Sequence, residues 1–206
     1  MSRVSIQSVA ASQKGGNART RILDAFRDMA QRQRFEQISL GEVARAAGVG
    51  RATLYRHFGS KDGLMVASLE PLLAALADAG AGRSGIPTLD RWMRHGWEYR
   101  WLLRSLLASP SRVAMERRLE TLLGERLGGM EPVGSLAALG IASAQLAMLH
   151  AWVSGEFSLS VSEIAAAMVE TSRLADRFSS QATFEVTARH EEAAAHHYAR
   201  LGGCAD

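Results

Sequence analysis

The stretch AAGVGRATLYRHFGSKDGL, Ala46 to Leu64, decides the fold predicted for this chain. It follows SLGE at 39–42, which is a capping box and opens a short helix. That helix is predicted to end at Gly48, because glycine adopts the left-handed conformation of a C-terminal cap at little cost. After a three-residue turn, a second short helix is predicted over 51–58. A helix, a tight glycine-bearing turn and a second helix are typical of a helix-turn-helix.

The second short helix has a narrow inward face and a wide outward one. Leu54 and Phe58 lie one turn apart and are predicted to point into a core. The remaining face carries donors that suit a DNA major groove: Arg51, Thr53, Tyr55 and Arg56. The alternative is a solvated helix in a small bundle. The capping box, the turn length and the local charge favour DNA binding.

Three serines are predicted to begin helices. Ser39 would cap the amide of Glu42, and Ser160 would pair with Glu163 in a second capping box. Ser60 would cap a helix that starts at Lys61, where outward-pointing amides favour a phosphate. Pro71 lies about ten residues into this helix, so the helix is predicted to kink or to end near 66–70.

The charge of the chain is concentrated in its first third. Residues 1–70 hold 11 Lys and Arg against 6 Asp and Glu, whereas residues 71–206 hold 13 against 15. This asymmetry favours a polyanionic partner for the first part only. The single cysteine, Cys204, fits a reducing compartment, and residues 1–18 lack the apolar run of a signal peptide. We therefore expect a cytoplasmic protein whose first 18 residues form a flexible arm.

The rest of the chain is predicted to be helical, and no strand pattern occurs in it. Charged residues are absent between Glu131 and Glu156, a length that could cross a membrane. This segment is rich in Ala, Gly and Ser, and it contains Gln145 and His150. That composition favours a buried helix over a membrane span.

The helix predicted near 134–154 is apolar on two sides. Leucines and a valine form one stripe, and smaller residues form the other. A helix of this kind must bury both faces, so we expect it to join the 160–178 helix in a four-helix interface between two copies of the chain. The residues predicted at this interface are Ala137, Ile141, Ala144, Met148, Ala151, Ile164, Met168 and Thr171.

Three of the four tryptophans cluster within ten residues. Aromatic residues at helical spacing usually fill a core, but ligand sites also favour aromatic and methionine-rich walls. Both interpretations stay open at this stage. The residues predicted to line a pocket are Trp92, Met93, Trp97, Trp101, Met115, Met148 and Trp152.

Two other classes of site find little support. The segment HEEAAAHH at 190–197 places its histidines six or seven positions apart, not the four of a zinc-protease motif, so a solvated tail is favoured over a metal site. Nucleophile-elbow, P-loop and dinucleotide-binding motifs do not occur in the sequence. We expect neither an enzyme nor a bound cofactor or metal.

The residues from Arg21 to Leu64 resemble the DNA-binding domain of the TetR family of bacterial transcriptional regulators. RILDAF, SLGEVARAAGV and TLYRHFGSKDGL occur in that order and at the spacing of the family. The resemblance implies an all-α homodimer that binds a palindromic DNA operator and is released by a small-molecule effector. It divides the chain into a three-helix DNA-binding domain at 19–66, a ligand-binding and dimerisation domain at 67–180, and a tail at 181–206.

The resemblance also assigns roles to individual residues. It implies that Tyr55, His57 and Lys61 contact DNA phosphates, and that Arg51, Ala52 and Thr53 reach base edges. Such phosphate contacts position a protein on the duplex, whereas base contacts specify the sequence. Two departures concern the two short helices: Gly50 replaces a frequent Ser or Thr cap of the second one, and Gly41, on the helix before it, replaces a residue that reads a base in some members. In a third departure, Arg34 replaces a glycine that often precedes the aromatic residue after the first helix.

Overall fold

A computed structural model describes residues 17–83, 86–127 and 132–174 of the chain. Over these ranges the secondary structure consists of helices and short connections, without a β-strand, so the predicted all-α class is confirmed. Most of the predicted arm, the 181–206 tail and the HEEAAAHH segment lie outside the described residues.

Nine α-helices and one 3-10 turn make up the described chain. The helices of the first part are α1 (Ala18–Ala30), α2 (Leu40–Ala46), α3 (Arg51–Phe58) and α4 (Lys61–Gly80), with the 3-10 turn at Phe35–Gln37 between α1 and α2. The helices of the second part are α5 (Ile86–Glu98), α6 (Arg100–Leu107), α7 (Ser111–Leu127), α8 (Pro132–Val153) and α9 (161–174).

The first three helices form a small bundle closed by the start of α4. Ile22 and Phe26 of α1 pack with Leu54 of α3 and Leu64 of α4, and all four are at most 2% exposed. Phe35 of the 3-10 turn meets Phe26 edge to face, with ring centroids 6.3 Å apart. This geometry is favourable for an aromatic pair and fixes the connection between α1 and α2.

The structure confirms two of the three predicted caps in detail. Ser160 and Glu163 form a reciprocal capping box, and the Ser60 hydroxyl accepts from the amide of Gly63 at 3.0 Å. Ser39 also caps its helix, but its hydroxyl accepts from the amide of Gly41 at 3.2 Å instead of that of Glu42. The prediction for Glu42 was therefore wrong, because an N-cap oxygen can reach either the second or the third amide of a helix.

Helix α4 runs without interruption from the small bundle into the larger part. It continues through Pro71 to Gly80, so of the two predicted alternatives, a kink or an end near 66–70, the end is excluded. Its second half packs against α7, where Glu70 pairs with Arg118 and Asp78 accepts from Arg126 at 2.5 Å. One helix therefore connects the two parts of the protein directly.

A buried polar contact joins α4, α8 and α9. The side-chain amide of Gln145, 1% exposed, donates to the carbonyl of Leu76 at 3.0 Å and to the hydroxyl of Ser172 at 3.1 Å. A buried amide is costly unless it is hydrogen-bonded, so these bonds specify how the three helices align. Gly80 permits the close approach, since a Cβ there would lie 2.8 Å from Leu123 Cδ2.

Two helices are long and apolar enough to cross a membrane: Lys61–Gly80 and Ser135–Val153. About half of each segment is buried against the rest of the described protein. The core helices of soluble proteins have the same length and composition, so this observation is weak evidence for a membrane span.

Candidate nucleic-acid interface

The turn between α2 and α3 has the geometry of a helix-turn-helix. Gly48 has φ 62°, the left-handed conformation predicted for this position. The amide of Val49 then donates to the carbonyl of Ala44 at 2.9 Å, which closes the end of α2. Gly50 precedes α3 without a side-chain hydrogen bond, as its lack of a side chain predicts. The turn itself therefore orients α3.

Helix α3 buries a single stripe and presents the rest of its surface. Leu54 is completely buried and Phe58 is half-buried, as predicted from their spacing. Thr53 is also half-buried. The other residues of the predicted contact face are exposed: Arg51, Ala52, Tyr55, Arg56 and His57. The described chain thus holds a helix whose outward face is cationic and aromatic and is not covered by other elements.

Arg51 lies across the first turn of α2. A Cβ on Gly41 would lie 2.7 Å from Arg51 Nη2, so the guanidinium occupies the space next to residue 41. Sequence comparison with the family had suggested that Gly41 loses a contact. The structure adds that the absent side chain leaves room for Arg51. The Arg51 guanidinium, on α3, therefore lies against α2.

Lys61 is more constrained than its position in the sequence suggests. Its ammonium donates to the carbonyl of Glu36 at 3.2 Å and lies 4.4 Å from the centroid of the Phe35 ring. Partial burial of the ammonium lowers the pKa of Lys61, while the Glu36 and Asp62 carboxylates oppose that shift. The side chain therefore connects the start of α4 to the 3-10 turn, at the edge of the α3 surface.

Cations from α1 adjoin the same motif. The Arg21 guanidinium donates to the carbonyl of Ala47 at 3.1 Å, which attaches α1 to the end of α2. The Arg19 guanidinium lies 5.6 Å from the centroid of the Phe58 ring. Sequence reasoning assigned no role to either arginine, because helical periodicity does not show which side chains from another helix reach the turn.

The residues predicted to line a pocket are dispersed in the structure. Trp92 lies in the wall of a cavity of about 420 Å³, but the other six do not. Met93 and Met115 are completely buried in the core, and Trp97 packs on Trp152 with centroids 4.6 Å apart. Trp101 is exposed and Met148 is half-buried. Most of these aromatic and methionine side chains therefore pack against other side chains, as expected from the default interpretation that they fill a core.

The residues predicted at a dimer interface divide into two groups. Ala137, Ile141, Ile164 and Met168 are at most 8% exposed within one copy of the chain. Their burial does not fit the prediction, because helices of the same chain already cover them. Ala144, Met148, Ala151 and Thr171 are half-buried. Among the described apolar residues of α8, Leu136 is 67% exposed and Leu139 is 42% exposed.

The described residues contain no group of three or more His, Cys, Asp or Glu side chains that could hold a metal ion.

Comparison with known proteins finds relatives of the helix-turn-helix part. Residues 22–67 match the family model described as bacterial regulatory proteins of the tetR family. The HTH-type transcriptional regulator AlkX of Mycobacterium tuberculosis is 48% identical over 46 residues, which are 22% of this chain and 22% of that protein. The matched part thus spans about a fifth of the length of this curated relative.

Solved structures extend the likeness to the whole fold. AlkX from Dietzia sp., a TetR family repressor implicated in biodegradation of n-alkanes, superposes with a TM-score of 0.51 at 19% identity, over 79% of this chain and 98% of its own. FadR from Thermus thermophilus, a TetR family repressor in complex with lauroyl-CoA, also gives 0.51, at 18% identity over 75% and 92%. At this identity the likeness establishes a shared fold. Residues 22–67 therefore match the helix-turn-helix of tetR-family regulatory proteins, and the fold of the chain is similar to those of solved TetR family regulators.

Proposed function

We propose that this protein is a cytoplasmic transcriptional repressor. It binds a palindromic double-stranded DNA operator as a homodimer and is released when a small-molecule effector binds in its larger part. The open face of α3 carries the proposal, because five exposed residues there project from a helix that the fold holds by a single buried stripe. The family supports a regulatory role and gives no reason to expect an enzyme.

The contacts divide into two classes by chemistry. Arg51 presents a planar fork that can pair with guanine O6 and N7, and Ala52 and Thr53 lie next to it on α3. Tyr55, His57 and Lys61 would fix the position on the duplex through phosphates. The tether between Lys61 and Glu36 would hold that donor at a defined place beside the groove.

Two observations support a dimer. Leu136 and Leu139 leave an exposed apolar surface on α8, and the half-buried Ala144 and Ala151 lie on the same helix. A Cβ on Gly140 would meet open space, so a second helix can approach closely there. A homodimer would bury this surface and would present two α3 helices to half-sites about 34 Å apart, or a multiple of that spacing.

Selection of DNA from a random pool tests the proposal. Wild-type protein should enrich a palindrome, and fluorescence anisotropy should then give an affinity at least about a thousandfold higher than for scrambled DNA. Tyr55→Phe and His57→Ala should weaken binding to both DNAs alike, whereas Arg51→Ala should reduce the preference between them. The proposal fails if no sequence is enriched, or if Arg51→Ala weakens binding to both DNAs equally.

Light scattering tests the assembly and an effector screen tests the regulation. A monomer at micromolar concentration would refute the homodimer. The competing hypothesis is a repressor that responds to no ligand, with the larger part serving only dimerisation. A metabolite that stabilises the protein and lowers its affinity for the operator would exclude this competing hypothesis. Operator DNA should then lower the affinity for that metabolite by the same factor.

A further inference from the structure

A cavity of about 420 Å³ lies at the junction between the small bundle and the larger part. Its walls come from α1 on one side and from α4, α5 and α6 on the other. This volume falls within the ~300–1,000 Å³ of small-molecule sites. The cavity therefore touches α1 of the small bundle as well as the helices proposed to sense a ligand.

The inner surface of the cavity is apolar. Phe26 of α1 and Leu72 of α4 face it, together with Trp92 and Leu103 from α5 and α6. Ser68 also lines it, but its hydroxyl already donates to the carbonyl of Met65 at 2.7 Å. An apolar ligand body would displace poorly bound water from such a surface, which favours binding.

The polar groups of the cavity are cationic or neutral. Arg27 and His95 line it together with Gln31 and Tyr99, and none of its described lining residues is acidic. Arg27 contacts Asp24 at 3.3 Å, where both side chains are largely exposed, and His95 contacts Glu98 at 3.4 Å. Exposed pairs of this length contribute little, so Arg27 is available to a ligand carboxylate.

We propose that this cavity binds a small apolar carboxylic acid, with the carboxylate paired to Arg27, and that its occupancy controls DNA affinity. The regulatory half of this inference rests on the proposed repressor function. The site differs from the one predicted from the sequence, since it shares only Trp92 with that set and includes α1.

Contacts across the junction connect the cavity to the DNA-binding surface. The side-chain amide of Gln31 donates to the Tyr99 hydroxyl at 3.3 Å, directly between two lining residues. On α6, the Ser105 hydroxyl donates to the Glu36 carboxylate at 3.2 Å, and Glu36 in turn accepts from Lys61 through its carbonyl. A ligand that shifts α6 relative to α1 therefore displaces the turn that holds Lys61.

Calorimetry with two probe acids tests the binding site. Decanoate and naphthoate should bind, and their neutral amides should bind more weakly. Arg27→Gln should lower the affinity for the acids by about 10- to 100-fold, because a charge-assisted hydrogen bond is lost, and should change the affinity for the amides little. Arg32→Gln is the matched control: it removes an exposed arginine just beyond α1 that does not line the cavity, and it should change neither.

A second pair of variants tests the location. Ser68→Leu should fill the cavity and abolish binding of acids and amides alike. Thr121→Leu also removes a hydroxyl bonded to the preceding helical turn, but on exposed α7 surface, and it should leave binding intact. Thermal unfolding of both variants verifies that they fold. Binding that survives Ser68→Leu in folded protein refutes the site, as does failure of both acids to bind wild type.

The proposal that the ligand controls DNA binding is tested by a separate measurement, operator affinity with and without the acid. Saturating acid should lower operator affinity about 5- to 150-fold in wild type and leave Ser68→Leu unaffected. If an acid binds wild type but not Ser68→Leu, and does not change operator affinity, the coupling is refuted and the binding site is supported. If no operator is found while acids bind in that way, the proposed function fails and the site stands. If the operator binds and acids do not, the inference alone fails.

Discussion

Replacement of Gly63 by alanine should destabilise the connection between α3 and α4. A Cβ at residue 63 would lie 2.1 Å from the carbonyl oxygen of Phe58. That is about 1.2–1.5 Å inside the ~3.3–3.6 Å at which carbon and carbonyl oxygen meet in proteins. The obstructing atom belongs to the backbone, so a rotamer change cannot relieve the clash.

The expected cost combines two effects. Overpacking of a tight site costs about 1–3 kcal/mol, and displacement of the Gly63 amide from the Ser60 hydroxyl removes a cap worth about 1 kcal/mol. Gly63→Ala should therefore lower the free energy of unfolding by about 2–4 kcal/mol. Urea denaturation followed by circular dichroism, at a fixed protein concentration, measures this change.

Gly124→Ala is the matched control. Gly124 is also a helical glycine, in α7, but a Cβ there would contact no atom within 4 Å. Alanine should therefore stabilise the protein by about 0.5–1 kcal/mol, because it restricts the unfolded chain and favours the helix. Equal stability of Gly63→Ala and wild type would refute the reasoning about the α3–α4 turn.

Gly41→Ala should leave stability nearly unchanged, because its Cβ would push only the flexible end of Arg51, but it should change base preference at one position per half-site by about 1–3 kcal/mol. Anisotropy on single-base variants of the operator measures this, and an unchanged preference contradicts the placement of the guanidinium. Lys61→Ala should reduce the slope of log K against log salt by about one; an unchanged slope would show that the ammonium binds no phosphate. Hydrogen bonds from the hydroxyl and amide of Ser160 lower the pKa of Glu163 below its usual 4.5. The capping stabilisation is therefore present above pH 4.5 and is lost as pH falls through the lowered pKa, so unfolding of Glu163→Gln and wild type should differ at neutral pH and converge in acid.

Local sequence patterns were sufficient to predict the helix-turn-helix. The left-handed Gly48, the buried Leu54 and the exposed contact face all follow from spacing within a few residues. The junction cavity could not be predicted in this way. Gln31 and Tyr99 meet across 68 positions, and periodicity describes one helix at a time.

The prediction of a ligand site from clustered tryptophans shows the same limit. Trp97 turned out to pack against Trp152, more than fifty positions away, and this stacking removes it from the cavity wall. The sequence shows which residues are aromatic, but it does not show which side chain each ring packs against. That depends on how α5 and α8 cross. Similarly, the burial of Ile141 and Met168 depends on α8 and α9 packing within one chain before any partner approaches.

Because α4 is continuous, a small rotation about one of its ends moves the other end by a larger distance. Its 20 residues span about 30 Å, so a tilt of about 5° around the Gly80 end would carry Lys61 sideways by nearly 3 Å. That displacement is comparable to the ~2.9 Å length of a hydrogen bond, so it is large enough to make or break a contact of Lys61. A continuous helix of this length converts a slight change near one end into the gain or loss of a contact at the other.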